Sequence, residues 1–342
     1  MKQITRIVCI GLAVLSLTAC EKTEDNNNGN VEKATALVLN EGDFTANNAA
    51  ISALDITNGE IDNHWFENAN GYGLGKQAQD MILYSSKVYV TVTESNTLEA
   101  IDPATGFSTQ KSMGTLHPRS IAADGGKLYI TCYTPACVVR MDAATLAIED
   151  TCLLDGYKPE GIAIANGKAF VAGAYNDNYL YDNRLYVVDL ATFDTLPSIT
   201  VGSNLQKVAC INDNKLIVSW GNGYDSPNGC AIVDINTHTV TPVNHGLTKM
   251  EVYNGKVYGY DAVYDGPVSW YVINTDGTSE NFPFTPTITN NAYGININPA
   301  NGDIYIMDAD YQANGDVLCY THNGALRFKS QTAKFPSKVI FL

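Results

Sequence analysis

Basic residues are scarce in this chain of 342 residues: 21 Lys and Arg stand against 36 Asp and Glu, a formal net charge of −15. A polyanionic surface repels phosphate backbones and anionic lipid, which excludes nucleic acid as an expected partner. Charged residues make up only 17% and hydrophobic residues 45%, so a core is available and wholesale disorder is excluded. Long apolar runs are lacking beyond the N-terminus, so nothing after it reads as a membrane-spanning helix. Of the eight cysteines, Cys9 and Cys20 fall in the leader segment, and the remaining six are too few for a disulfide framework. Cys132 and Cys137 are spaced to close a small loop, and the others read as small buried hydrophobes. Without a second pair, Cys-x4-Cys makes no zinc site.

Catalytic motifs are missing too. There is no His-Glu-x-x-His, no Gly-x-Ser-x-Gly and no P-loop. Gly71-Tyr72-Gly73-Leu74-Gly75-Lys76 lacks the phosphate-loop spacing and the following Ser or Thr, so it reads as a flexible connector into the next strand. The five histidines are scattered, and His117 alone falls near a plausible binding rim. Asp308, Asp310, Asn314 and Asp316 supply oxygen ligands but lack the bidentate Glu and spacing of a calcium loop.

What is present begins with the leader. Lys2 and Arg6 precede an apolar run from Ile7 to Leu17, and Leu17-Thr18-Ala19-Cys20 resembles a lipobox. The expectation is a signal peptide over residues 1–19, acylation of Cys20, a flexible polar tether over residues 20–33 and a folded domain over residues 34–342.

That domain repeats. Short strands recur as Ser86-Lys87-Val88-Tyr89-Val90, Gly126-Lys127-Leu128-Tyr129-Ile130 and Gly167-Lys168-Ala169-Phe170-Val171, with later copies at Lys215, Lys256 and Asp303. The spacings are 40, 41, 47, 41 and 47 residues, the period of a β-propeller blade. An apolar strand ending in turn chemistry recurs seven times, at Asp55, Asp102, Asp142, Asp189, Asp234, Asn274 and Thr321. A third strand precedes each Lys-Val-Tyr copy, and its seventh instance is the C-terminal Ser337-Lys338-Val339-Ile340-Phe341-Leu342. Its partner must be the N-terminal Ala36-Leu37-Val38-Leu39-Asn40. The reading is an all-β, seven-bladed propeller closed by pairing of the two chain ends in one composite blade. An open solenoid or a pair of sandwiches leaves the last strand without a partner.

In such a fold the innermost strands start at one face, here called the top, and the loops between second and third strands return to it. Gln79, Arg119, Glu160, Gln206, Thr248, Tyr293 and Ser337 are therefore expected to ring the channel. The loops are rich in Tyr, Asn, Asp and Gly, a paratope-like mixture of rigid rings and short polar groups. They place Tyr133, Tyr175, Tyr179, Tyr181, Trp220, Tyr224, Tyr264 and Tyr311 as candidate contact surfaces, with Arg119, Gln79, Glu160 and Gln206 orienting polar groups. Arg119 and Glu160, on adjacent blades, are expected to pair, and no nucleophile accompanies them.

The leader, the Gly-Lys-Val-Tyr-Val strands, the Asp-Pro-Ala-Thr-Gly turn at residues 102–106 and the opening Leu39-Asn40-Glu41-Gly42-Asp43-Phe44 together resemble the YncE-like propeller lipoproteins of Gram-negative gut anaerobes. Within them the chain is most similar to the BtuG-type group. The resemblance implies a non-enzymatic, lipid-anchored protein of the outer membrane, facing outward. It would bind cobalamin or a related corrinoid on a propeller face and deliver it to a TonB-dependent transporter. The corrinoid would be cargo, with no resident cofactor. Two other classes remain open at this point: a carbohydrate-binding propeller of a glycan-uptake system, and a lactonase- or lyase-like propeller enzyme.

Overall fold

The computed structural model describes residues 34–222, 225–263 and 266–342. Seven four-stranded antiparallel sheets form seven blades. In chain order the innermost strands are Ala78–Tyr84, Pro118–Asp124, Lys158–Ala165, Leu205–Asn212, Lys249–Tyr253, Asn291–Ile297 and Pro336–Phe341. The blade holding Pro336–Phe341 is counted as the first, and the others follow in chain order as the second to the seventh.

Burial within a blade follows strand position. Second strands such as Lys87–Val92 and Ile304–Ala309 are buried along almost their whole length. Each is covered on both faces by neighbouring blades, so its sequence is a continuous apolar run rather than an alternation. Outer strands such as Ile148–Leu153 and Thr195–Thr200 are almost wholly exposed and polar enough to face water. The core is accordingly divided into apolar clusters between blades, among them one joining Tyr89, Leu98 and Met113 to Ile121, Ile130 and Met141.

The expected turn chemistry holds the outer hairpins. Asp142 Oδ1 accepts from the amides of Ala144 at 3.2 Å and Thr145 at 2.9 Å, and Asp189 and Asp234 repeat the arrangement. On the inner hairpins, the residue before the recurrent Lys takes positive φ: 79° at Gly126, 69° at Gly167 and 71° at Gly255. Two successive left-handed residues, as at Asn254 (49°) and Gly255, suit the tight turn that matches strand twist.

The ring closes as the repeat requires. Ala36–Asn40 lies between Ala50–Leu54 on one side and Pro336–Phe341 on the other, with Leu37 opposite Ile340 and Val38 opposite Val339. Leu37, Val38, Leu39 and Val339 are buried. Gly294 makes this junction possible, since a Cβ there would run into the backbone carbonyl of Ser337 on the neighbouring blade.

Two local expectations are corrected. The segment after the first blade contains a helix, Trp65–Asn70, and is not a loose connector. Leu74 is buried and Gly75 bridges Ala49, which pins the glycine-rich stretch to the domain. Cys132 and Cys137 sit directly opposite on neighbouring strands as free, buried thiols, with the Cys132 thiol donating to the Ile130 carbonyl, and close no loop. No helix among the described residues is long and apolar enough to cross a membrane.

A chain ending at Phe335 lacks the strand that covers Ala36–Asn40. Its thermal unfolding, followed by circular dichroism, is expected to lose its cooperative transition; an unchanged midpoint would contradict the closure. Within the intact chain, Leu37→Ala should cost about 2–5 kcal/mol in urea denaturation.

Candidate functional site

The top rim is organised by charge held against burial. Arg119 Nε donates to Glu160 Oε2 at 2.8 Å across adjacent blades, and the Tyr133 hydroxyl donates to the other Glu160 oxygen. Burial pushes the Glu160 carboxyl up, but the Arg119 guanidinium and these hydrogen bonds outweigh it, and the net direction is down. Lys158 lies over the rings of Tyr133 and Tyr175, at 5.8 and 5.2 Å. Tyr175 stacks on Tyr179 with centroids 6.0 Å apart and planes 7° from parallel. The Tyr181 hydroxyl donates to Asp225 at 2.6 Å.

Across the mouth, Glu41 takes the place that Glu160 has on the other side. It accepts from the Tyr293 hydroxyl at 2.9 Å and from Gln79 Nε2 at 3.2 Å. Tyr293 and Tyr311 both pack against Phe335, at 5.7 and 5.6 Å. Gln206 turns back on its own loop and donates to Asn204 Oδ1 at 2.8 Å.

Below the rim lies a cavity of about 480 Å³ along the propeller axis. Its wall carries Asp80, Lys207, Lys249, Glu251 and Lys338, with Asn296 beside them. Lys338 Nζ donates to Asp80 Oδ1 at 2.7 Å, and Asp80 Oδ2 accepts the Ile121 amide at 3.1 Å, which ties three blades together. Asn296 donates to Glu251 Oε2 at 2.6 Å, and burial pushes the Glu251 carboxyl up.

The structure thus brings Arg119, Glu160, Tyr133, Tyr175 and Tyr179 together in one arc, and Gln79, Tyr293 and Tyr311 in another. The expected Arg119–Glu160 pair is present. Of the residues expected to ring the channel, Gln79 and Ser337 border the cavity, and its main charges come from other positions. Trp220 is not a loop residue: it ends the strand Lys215–Trp220, half-buried, with its indole packed where Gly202 and Gly229 leave no side chain. Tyr224 and Tyr264 lie outside the described residues. Asp308 is buried and spends its carboxylate on the amides of Thr289, Asn290 and Asn291, at 2.7 to 2.9 Å, so it is a structural clamp. Among the described residues no group of three or more His, Cys, Asp or Glu side chains is arranged to hold a metal ion.

The cavity charges escaped the sequence reading although a signal for them exists. The residue after each strand-starting polar position is charged at Asp80, Lys207, Lys249 and Lys338, four of the seven inner strands.

Glu160→Gln leaves the half-buried Arg119 guanidinium without its counter-charge. At pH 7 this should cost about 3–5 kcal/mol in urea denaturation. Because the folded-state pKa of Glu160 is depressed, its contribution is complete above the unfolded value of about 4.3 and is lost as pH falls through the folded value. The gap between wild type and variant should therefore narrow below about pH 4. A gap independent of pH would contradict the ionised pair.

No protein-family profile matches the chain, and no curated protein matches it in sequence. Solved structures do match in shape. A quinonprotein alcohol dehydrogenase-like protein from Bacteroides thetaiotaomicron has a TM-score of 0.65 at 15% identity, covering 89% of this chain and 78% of its own. A hypothetical selenium-binding protein from Sulfolobus tokodaii has a TM-score of 0.64 at 11% identity, covering 90% and 93%. BamB from Moraxella catarrhalis gives 0.52 at 17% identity, covering 87% and 82%. At these identities the likeness concerns architecture alone. Strand order, closure and shape agree: the chain is a seven-bladed β-propeller.

Proposed function

We propose that this protein is a non-enzymatic capture protein whose top face binds a corrinoid and passes it to a TonB-dependent outer-membrane transporter. In this reading Cys20 carries the lipid that anchors it to the outer membrane, facing outward. The observation that carries the proposal is the placement of exposed apolar side chains. Phe44, Tyr179, Leu180, Val263 and Tyr311 are 61, 79, 59, 43 and 56% exposed. All five lie on loops between second and third strands, from four different blades, around one mouth. Phe107, Leu153 and Leu326 are as exposed on separate outer strands and hairpins, but these five lie on loops that converge on one mouth, where apolar groups from several blades together offer a binding surface.

A corrinoid suits this surface chemically, being broad, apolar at its faces and rimmed by amides. Tyrosine rings supply area at low entropic cost, and neighbouring Asn and Asp groups such as Asn176 and Asp177 offer partners for amides. A glycan is the second reading, favoured by the parallel Tyr175–Tyr179 pair, since an exposed ring face also stacks on a sugar.

Calorimetric titration of residues 34–342 with cyanocobalamin should show saturable one-to-one binding at micromolar concentration or below. Tyr179→Ala and Tyr311→Ala should each weaken it by about tenfold or more, while stability stays within about 0.5 kcal/mol of wild type. Absence of heat with cyanocobalamin, together with binding on a glycan array, would replace the corrinoid by a sugar.

A further inference from the structure

We propose that the axial cavity holds a second site, distinct from the top-face loops, in which Lys207 and Lys249 together bind a small multivalent oxyanion, a phosphate or a polycarboxylate. The two lysines occupy equivalent positions on the inner strands Leu205–Asn212 and Lys249–Tyr253 of adjacent blades, and both border the cavity. Its volume of about 480 Å³ falls in the range of small-molecule sites.

The cations around this space are not equally satisfied. Arg119 is engaged by Glu160 at 2.8 Å and Lys338 by Asp80 at 2.7 Å. Among the described residues, neither Lys207 nor Lys249 has a carboxylate or hydrogen-bond acceptor within reach of its ammonium. Lys249 has only the Tyr293 ring, 5.4 Å away. The acids that face the pair are already used. Asp80 is held by Lys338, Glu160 by Arg119 and Tyr133, Glu41 by Gln79 and Tyr293, and Glu251 by Asn296.

Two ammonium groups without hydrogen-bonded partners in one cavity repel each other, and burial adds to the cost. Burial, reinforced by the Lys249 charge, pushes Lys207 down to about 8, against the opposing pull of Asp80 and Glu160. An oxyanion between the two lysines removes the repulsion and supplies the missing acceptors through charge-assisted hydrogen bonds. A neutral ligand can offer acceptors but leaves the repulsion between the two charges in place.

The test is calorimetric titration of residues 34–342 at pH 6.5 with inorganic phosphate and, separately, with citrate. One of the two should bind with one-to-one stoichiometry, and the stronger arm identifies phosphate or polycarboxylate as the class. Lys207→Met and Lys249→Met, each checked for a thermal midpoint no lower than wild type, should weaken binding by at least about tenfold, as expected for loss of a charged hydrogen bond. Lys168→Met, on a strand remote from the cavity, should leave it unchanged. Affinity should fall as pH rises past about 8, where Lys207 loses its proton. Should Lys207→Met fail to fold, Lys207→Gln and Lys249→Gln carry the same comparison. No heat with either anion at 10-millimolar order, or binding that survives both lysine variants, overturns the site. Because the probes are anions and the variants spare the top loops, this outcome is independent of the corrinoid reading.

Discussion

The pairing of the first strand with the last is the constraint on which the rest of the molecule depends. Ala36–Asn40 is covered on one edge by its own hairpin and on the other by Pro336–Phe341. Without that second pairing the ring has two free sheet edges, and the cavity has no continuous wall. Lys338, which belongs to the closing strand, also reaches across to Asp80 in the next blade. The strand that shuts the ring therefore brings one of the cavity's charges with it.

Contacts between blades repeat the same device around the ring. Thr91 Oγ1 donates to the Arg119 carbonyl at 2.6 Å, and Thr131 Oγ1 donates to the Glu160 carbonyl at 3.0 Å. Asn296 Oδ1 accepts the Val339 amide at 2.7 Å. Inner strands gain polar partners from neighbouring blades, because their free edge faces the channel and has no further strand to bond. The same exposed edge makes the channel wall polar and leaves room for the unpaired lysines. Rigid closure below and variable loops above separate the scaffold from the surface proposed for recognition.

The blade count, the strand order and the terminal pairing were legible in the sequence because each repeats a pattern with a physical period. The Lys that precedes most of the apolar strands, and the Asp, Asn or Thr at each outer hairpin, mark the same position in successive blades. The site was legible only in part. Arg119 and Glu160 could be paired from strand position, since adjacent blades bring equivalent residues together. Glu41 could not be assigned its role on the opposite side, because its partners Gln79 and Tyr293 lie 38 and 252 residues away in the chain. Trp220 looked like loop chemistry because Gly221 follows it, yet glycines at 202 and 229 make it a packing residue. The helix Trp65–Asn70 was hidden by its shortness, with Phe66 its one buried side chain.

The top-face account is tested most directly by amide hydrogen exchange with and without saturating cyanocobalamin. Protection should appear in the loops at residues 41–49, 176–183 and 310–315, and not in the outer hairpins at residues 102–107 and 190–194 on the opposite face. Protection confined to those hairpins, or spread evenly over both faces, would contradict it.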